Sequence, residues 1–209
     1  MSRVSPGKGL LWALLAVPAI TIVHRYATTP DVWAGDLLRP TGEWSARGII
    51  VALMLTPLAQ LLPGNRAVRW LVRHRRAFGV AAFGYSLLHL IFYILDMQAV
   101  NAMLAELGAP GIWTGWLALV CLVPPALASN DAAMRLLGRG WKRVQRLAYP
   151  AAVLTLVHWM LVHDGFASAL VQFAPLILLQ LIRLFRFFSR PPPKRKFARC
   201  CVSSPLPPL

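Results

Sequence analysis

Acidic residues are scarce in this 209-residue chain, in which seven Asp and Glu stand against 22 Lys and Arg, for a formal net charge of +15. Cysteine is scarcer still: Cys121 lies alone in an apolar segment, and Cys200 and Cys201 are adjacent near the end. Three cysteines without a CxxC spacing or a His/Cys cluster exclude the usual zinc and iron–sulfur sites. The sequence also lacks GxGxxG and Walker motifs, so it does not support soluble nucleotide chemistry.

Apolar residues, by contrast, are abundant. Hydrophobic residues make up 57% of the sequence and charged residues 14%, and the mean hydropathy is +0.58. This composition is too apolar for an ordinary soluble domain and predicts one polytopic membrane domain. A membrane-spanning helix needs about 20 mainly apolar residues. Six segments approach this length and predict an all-α bundle of six transmembrane helices: 9–24, 45–63, 77–95, 112–128, 147–163 and 168–188.

The positive charges are distributed unevenly between the loops. Nineteen of the 22 Lys and Arg residues lie in four segments that alternate with poorly charged ones: 1–8, 66–76, 135–146 and 183–199. An excess of Lys and Arg in alternate loops is the positive-inside pattern. It predicts a multi-pass protein of the bacterial inner membrane with both termini cytoplasmic, and it explains the basic charge without a nucleic-acid partner.

The two ends of the chain have compositions of their own. Arg3 and Lys8 precede an apolar run, as in a signal peptide, but no clean small-x-small cleavage site follows, so we interpret this segment as a retained first helix. Residues 190–209 are basic and Pro-rich and cannot build a core. We predict a membrane domain over 1–189 and a disordered tail over 190–209 that lies along anionic membrane lipids.

Two histidines lie deep within apolar segments. His89 is in AAFGYSLLHLIFYIL (81–95), and His158 is in LAYPAAVLTLVHWMLV (147–162). An ionisable side chain in hydrocarbon is costly, so it faces a bundle interior, a cavity or a cofactor. Neutral imidazole is also the usual protein ligand of haem iron. The pair therefore predicts a haem bound between two helices, with His89 and His158 as its iron ligands, and an electron carrier in the membrane.

The two histidines are expected at similar depth, in the periplasmic half. At roughly 1.5 Å per residue, His89 lies about 20 Å from Arg76 and His158 about 17 Å from Leu147, where the two spans begin. The alternative is that either histidine is only an interhelical hydrogen-bond donor. Small residues one and two turns below each histidine leave room for a flat macrocycle: Ser86 and Ala82, Thr155 and Ala151.

The other three histidines are expected to be bystanders. His24 and His163 lie at the periplasmic ends of their spans, where water can solvate them. His163 is also five residues from His158, which is not a helical spacing. His74 lies in an arginine-rich segment and is expected in a solvated loop.

Several segments resemble the MsrQ (YedZ) family of haem-binding membrane subunits, within the ferric reductase-like transmembrane superfamily. They cover most of 41–161 and comprise TGEW (41–44), LTPL (55–58), RRAFGVAAFGYSLLHLIFYILD (75–96) and ASNDAAMRLLGRGWKRVQRLAYPAAVLTLVHWML (128–161). The last two are the more specific. His89 and His158 match two histidines that this family associates with haem.

The resemblance implies an electron-transfer subunit rather than the catalytic subunit of an oxidoreductase. It implies haem b and, as a further reported cofactor, FMN. It also implies electrons drawn from the quinone pool and delivered to a periplasmic molybdenum-containing catalytic subunit, MsrP, for repair of oxidised periplasmic proteins. Axial ligation by two imidazoles suits this role because it leaves no open iron position.

One histidine of the family is missing. The family pattern W-x-x-L-H-R-L corresponds to residues 141–147, where Gln145 replaces the histidine. Glutamine is a poor ligand of haem iron, so a second haem or a quinone contact that relies on this imidazole is not expected. We predict about one haem per chain.

Two other functions also fit a small helical membrane bundle. One is a ferric or metal reductase-type membrane cytochrome, and the other is a haem-free transporter or assembly subunit. A transporter would be favoured by paired acids within the membrane or by broken helices. No Asp or Glu lies within the six predicted spans, and the interruptions at Pro57, Pro124 and Pro125 are weak evidence without buried charge.

Overall fold

The computed structural model describes residues 6–106, 108–162 and 165–189. Within these ranges the chain is all-α, which confirms the predicted fold class. The predicted tail over 190–209 lies outside the described residues, as does His163.

The described chain forms a succession of helices joined by short connections. Short 3-10 turns at Ala34–Leu37 and Gly138–Gly140 precede two of them. The α-helices are α1 (Pro6–Thr28), α2 (Leu38–Leu61), α3 (Arg66–Arg73), α4 (Arg75–Met97), α5 (Val100–Glu106), α6 (Pro110–Leu127), α7 (Asp131–Leu137), α8 (Trp141–Gln145), α9 (Ala148–Val162) and α10 (Phe166–Phe188).

Five helices in the described ranges are long and apolar enough to cross a membrane: α1, α2 with its preceding turn, α4, α6 and α10. Helix α9 coincides with another predicted span but has 15 residues. Its length is about 22 Å at roughly 1.5 Å per residue, against a hydrocarbon core of about 30 Å. The sixth span and the cytoplasmic termini therefore stay predictions.

The bundle is built around two closely packed helix pairs, α2 with α4 and α6 with α9. A Cβ added to Gly48 of α2 would lie 2.8 Å from Ala82 Cβ of α4, and one added to Gly111 of α6 would lie 2.8 Å from Val162 Cγ2 of α9. Small residues at such contacts let membrane helices approach closely. The two pairs meet with α10 in one core that includes Ala46, Ile49, Ala82, Leu122, Ala151, Trp159 and Phe173.

Helix α1 is attached to α4 through Tyr85, whose hydroxyl forms hydrogen bonds with two backbone groups of α1. The hydroxyl donates to Leu15 O at 2.7 Å and accepts from Ala19 N at 3.0 Å. These hydrogen bonds lie beside Pro18, and prolines and inserted side chains are the usual causes of bent helices. Trp44 of α2 stacks on the Tyr85 ring, with the ring centroids 6.1 Å apart. Tyr85 therefore connects α1 to the α2–α4 pair.

Helix α2 begins before the predicted span and includes Glu43. Glu43 lies outside the predicted span 45–63, which contains no acid, so the helix is longer than the apolar segment that predicts it. The Glu43 carboxylate accepts from Arg39 Nε at 3.1 Å and from Arg47 Nη2 at 2.7 Å. Ion pairs four residues apart stabilise a helix locally. They allow α2 to begin at Leu38, before the apolar segment that predicts the span.

Candidate functional site

His89 of α4 and His158 of α9 meet in a cavity at the centre of the bundle. Their ring centroids are 6.2 Å apart, and their ring planes are inclined at 88°. Both rings line the same cavity, whose walls come from α2, α4, α6 and α9. The structure thus brings together the two histidines that the sequence analysis singles out, from segments distant in the chain.

A backbone carbonyl fixes the orientation and the proton position of each ring. His89 Nδ1 lies 2.9 Å from Leu38 O, and His158 Nδ1 lies 2.7 Å from Gly111 O. A carbonyl oxygen can only accept a hydrogen bond, so each neutral ring donates from Nδ1. The lone pair of each ring is then on Nε2, an arrangement common in metal-binding histidines.

Threonines bind the same two carbonyls on both sides of the cavity. Thr41 Oγ1 is 2.9 Å from Leu38 O, and Thr114 Oγ1 donates to Gly111 O at 2.7 Å. Each threonine is three residues after the carbonyl that accepts from the histidine. The Thr41 hydroxyl also lies 2.7 Å from Leu37 O and 3.2 Å from His89 Nδ1. One helical turn of α2 and one of α6 thus support the two imidazoles in the same way.

A glycine follows each threonine and lies against the imidazole ring. A Cβ added to Gly42 would lie 3.3 Å from His89 Nδ1, and one added to Gly115 would lie 2.8 Å from His158 Cε1 and 2.9 Å from its Nδ1. A Cβ at Gly115 would overlap the His158 ring, whereas a Cβ at Gly42 would require only a small displacement of the His89 ring. A side chain at Gly115 would therefore displace His158 from its carbonyl.

The rest of the cavity wall is mostly small or apolar. Ser86 and Thr155, which are expected beside the histidines, do line it, and Ser86 Oγ bonds to Ser45 Oγ of α2 at 2.7 Å. Trp159 also lines the cavity, and its indole Nε1 is buried without a hydrogen-bond partner among the described residues. The apolar part of the wall includes Leu90, Ile112, Ala118, Leu119 and Leu122. Such a wall suits a large and mainly apolar ligand.

The charges at the cavity rim form one network around Glu43. Arg39 and Glu43 line the cavity, and Arg47 extends the network to α10 by donating from Nε to Gln172 Oε1 at 3.1 Å. Arg47 also lies over the Trp44 ring, 5.1 Å from its centroid. One carboxylate between two guanidinium groups leaves a net positive charge, which favours an anionic group at the rim.

Two imidazoles at this separation can bind one metal ion from opposite sides. Metal–imidazole bonds are about 2 Å long, so two rings bonded in trans have centroids about 6 Å apart. Within the described residues, no group of three or more His, Cys, Asp or Glu could hold a metal ion. The site therefore suits a metal whose remaining ligands come with a cofactor.

The other histidines contribute nothing to this cavity in the described part of the chain. His24 is exposed on α1, in keeping with a solvated residue. His74 is half-buried between α3 and α4, where its Nδ1 donates to Trp70 O at 2.8 Å and its ring centroid lies 4.3 Å from that of Trp70. The expectation of a solvated loop residue is wrong for His74, because α4 follows α3 without a loop.

Known proteins match the chain over the segments that form this site. The family model of the ferric reductase like transmembrane component matches residues 41–156, which include His89. The protein-methionine-sulfoxide reductase heme-binding subunit MsrQ of Brucella ovis is 32% identical over 197 residues, which cover 88% of this chain and 86% of the relative. The MsrQ proteins of Brucella canis and Brucella melitensis match to the same extent. This chain belongs to the MsrQ family of ferric reductase-like membrane proteins. The resemblance drawn from its motifs is confirmed.

Gln145, the departure from the expected MsrQ pattern, lies away from the two histidines. It lines a second cavity, at the other end of α4 and α9. Its Nε2 donates to Pro125 O of α6 at 3.0 Å. The amide is thus used in a contact between α8 and α6.

Sequence reasoning misses four residues that support the two histidines: Thr41, Gly42, Thr114 and Gly115. The signal that could find them is composition, because Thr-Gly occurs only at these two places in the sequence. Each Thr-Gly pair lies in the first turns of a spanning helix. TGEW (41–44) carries part of the family resemblance, but nothing in the motif alone assigns Gly42 to His89.

Proposed function

We propose that this chain is the haem b electron-transfer subunit of a membrane methionine sulfoxide reductase system, with His89 and His158 as the axial iron ligands. The observation that carries the proposal is the meeting of two imidazoles from α4 and α9, 6.2 Å apart, in one central cavity. The Brucella relatives are named heme-binding subunits, which supports the same cofactor here.

The residues of the cavity fit a haem. When bound, haem supplies one-electron chemistry at its iron. Each histidine donates from Nδ1 to a carbonyl and has its lone pair on Nε2, the atom that would bind iron. Gly42 and Gly115 leave room for the two rings. Arg39 at the rim would pair with the carboxylates of the cofactor.

The protein's own contributions are ligation, orientation and exclusion. His89 and His158 would hold the haem iron, and ligation by two imidazoles would leave no open iron position for dioxygen or substrate, which favours electron transfer. The carbonyls of Leu38 and Gly111 orient the two rings and increase the basicity of each imidazole. The subunit therefore passes electrons, and sulfoxide reduction belongs to a partner.

The finer parts of the proposal concern the source and destination of the electrons. We propose the quinone pool as the donor and the periplasmic molybdenum-containing subunit MsrP as the acceptor. The names of the relatives, which place them in a methionine sulfoxide reductase system, support the destination. FMN is a further cofactor that the family resemblance implies. Reoxidation of the reduced protein by purified MsrP and methionine sulfoxide, but not by ferric citrate, tests the acceptor and separates this role from that of a metal reductase.

The proposed topology has six spans in the inner membrane and both termini in the cytoplasm. The unequal loop charges support it, because 66–76 and 135–146 are basic, whereas 96–111 contains no Lys or Arg. In a variant lacking native cysteines, an impermeant thiol reagent applied from outside should label a cysteine placed at Asn101 and not one placed at Arg69. Labelling at Arg69 instead would invert the topology.

Absorption spectroscopy of the purified protein tests haem ligation. The unaltered protein should give the spectrum of a six-coordinate low-spin haem. His89→Ala and His158→Ala should each abolish or strongly alter this spectrum, because each removes one axial bond. His74→Ala is the matched control and should leave the spectrum unchanged, since His74 contacts Trp70 outside the cavity. A purified, folded protein without haem would favour a haem-free transporter or assembly subunit instead.

A further inference from the structure

A second cavity lies at the opposite end of the same helices. It is lined by the start of α4, the later turns of α2, the end of α6, the α8–α9 segment and α10. Among the described residues, Leu122 is the only one that lines both cavities. Five lining residues are cationic: Arg75, Arg76, Lys142, Arg146 and Arg183.

One of these cations has an acidic partner. Arg76 Nη1 donates to Asp131 Oδ1 at 2.7 Å, and the guanidinium holds the pKa of this carboxyl below its usual range. The Asp131 side chain is 72% exposed, so the pair lies at the mouth of the cavity. The other four cations form no salt bridge within the described part of the chain, so the cavity retains a large positive charge.

Two of the unpaired cations are half-buried and fixed in place. Arg75 Nη1 donates to Thr56 Oγ1 at 3.1 Å, and Arg183 Nη1 donates to Tyr149 OH at 3.2 Å. These neutral oxygens orient the guanidinium groups without cancelling their charge. Guanidinium groups without a carboxylate partner favour an anionic ligand.

Part of the cavity lining is apolar. It is formed by residues of α2 and α6: Ile49, Ala52, Leu53, Leu122 and Ala126. A cavity lined by both cations and apolar side chains is complementary to an amphiphile with an anionic head. Basic pockets between membrane helices bind the headgroups of anionic lipids in this way.

The cavity offers no usual axial ligand for iron. None of its described lining residues is His, Cys or Met, and Gln145 donates to Pro125 O. A ligand here is therefore recognised by charge and apolar contact.

We propose that this second cavity binds an anionic phospholipid, with the headgroup phosphate among Arg75, Arg183 and the neighbouring cations and the first part of an acyl chain along the α2–α6 wall. A soluble phosphate ion would use the cations alone. The apolar wall is the reason to prefer the lipid. The proposal is independent of haem ligation at His89 and His158.

Native mass spectrometry of the full-length protein in detergent tests this proposal. Phosphatidylglycerol should be retained more tightly than phosphatidylcholine, which has no net charge. Arg75→Gln/Arg183→Gln should weaken phosphatidylglycerol binding about 30-fold, because each cation near an anionic headgroup strengthens binding about five-fold. Lys142→Gln/Arg146→Gln should weaken it as well, and because these side chains are exposed this variant leaves the helix contacts intact.

The matched control is Arg135→Gln/Arg139→Gln, which removes two positive charges from α7 and the turn after it, outside the cavity lining. It should leave phosphatidylglycerol binding unchanged. Size-exclusion profiles and thermal unfolding, which do not depend on haem, verify that each variant is folded. Equal binding of the two lipids, or equal losses in the control and cavity variants, would overturn the proposal. Displacement of the lipid by millimolar inorganic phosphate would reassign the cavity to a free anion.

Discussion

The two cavities of this bundle share their helices and differ in their chemistry. The histidine cavity is lined by two imidazoles, glycines and hydroxyl residues, and its charged residues are confined to the ion-pair network around Glu43 at the rim. The second cavity is lined by five cations and an amide, and its described lining residues include no histidine. The same helices thus enclose two cavities, and the side chains that line each cavity decide what it can bind.

The two levels are related by a constant spacing in the sequence. Arg76 precedes His89 by 13 residues, and Gln145 precedes His158 by 13 residues. Arg76 and His89 both lie on α4, where thirteen residues correspond to about 20 Å, whereas Gln145 ends α8 just before α9 begins. Each of these two chain segments therefore contributes an imidazole to the histidine cavity and another polar group, Arg76 or Gln145, to the second cavity. The two cavities can be altered separately by substitution.

Among the residues that support the two histidines, the largest effect is expected from Gly115→Ala. The new methyl group would lie 2.8 Å from His158 Cε1 and would displace the ring from Gly111 O. We expect haem affinity to fall about 10- to 100-fold, as when groups that orient a metal ligand are changed. Haem titration of the apoprotein measures this loss. Gly84→Ala is the control, because nothing lies within 4 Å of a Cβ at Gly84, and an affinity loss of equal size there would contradict the explanation.

A smaller loss is expected from Gly42→Ala. The methyl group would lie 3.3 Å from His89 Nδ1, which requires a shift of a few tenths of an ångström. The same titration should give a loss of a few-fold, clearly below that of Gly115→Ala. If the two substitutions were equivalent, the difference in clearance between the two rings would have no consequence for binding.

Thr114→Val should change the redox potential more than the haem content. Gly111 O accepts from both Thr114 and His158, so loss of the hydroxyl strengthens the remaining hydrogen bond. A more basic imidazole stabilises ferric iron and lowers the midpoint potential. Potentiometric titration should show a modest shift to lower potential. Thr21→Val is matched to it, since the Thr21 hydroxyl donates to Pro18 O on the exposed side of α1, and it should shift nothing.

No gain of haem is expected from Gln145→His. A single imidazole added to the second cavity would have Arg76, not a histidine, at the corresponding position of α4. Pyridine haemochrome quantification should give about one haem per chain before and after the substitution, since stable low-spin ligation needs two axial donors. Two haems per chain in the unaltered protein would show that another pair of residues binds iron.

The helices and the histidine pair could be predicted from the sequence because each depends on a strong local signal. Apolar runs of span length predict α1, α2, α4, α6 and α10, and their ends are misjudged where charges pair within a turn, as at Glu43. The common depth of His89 and His158 follows from counting residues along α4 and α9, which cross the bundle in the same direction.

The supporting residues could not be predicted in the same way. The contact of Gly115 with His158 depends on the close packing of α6 against α9, and a single glycine in an apolar helix carries no signal of what packs against it. The same holds for the carbonyls of Leu38 and Gly111, which no side-chain pattern reveals. The environment of His74 is predicted wrongly because the boundary between α3 and α4 depends on how these helices pack.

Electron paramagnetic resonance of the oxidised protein tests the central claim most directly. The ring planes of His89 and His158 are inclined at 88°, and perpendicular axial imidazoles bring the iron dπ orbitals close to degeneracy. The account predicts a low-spin ferric signal with one strongly anisotropic, high-g feature, lost in both His89→Ala and His158→Ala. A high-spin signal in the unaltered protein, a rhombic low-spin signal typical of parallel imidazole planes, or an unchanged signal in either variant would contradict it.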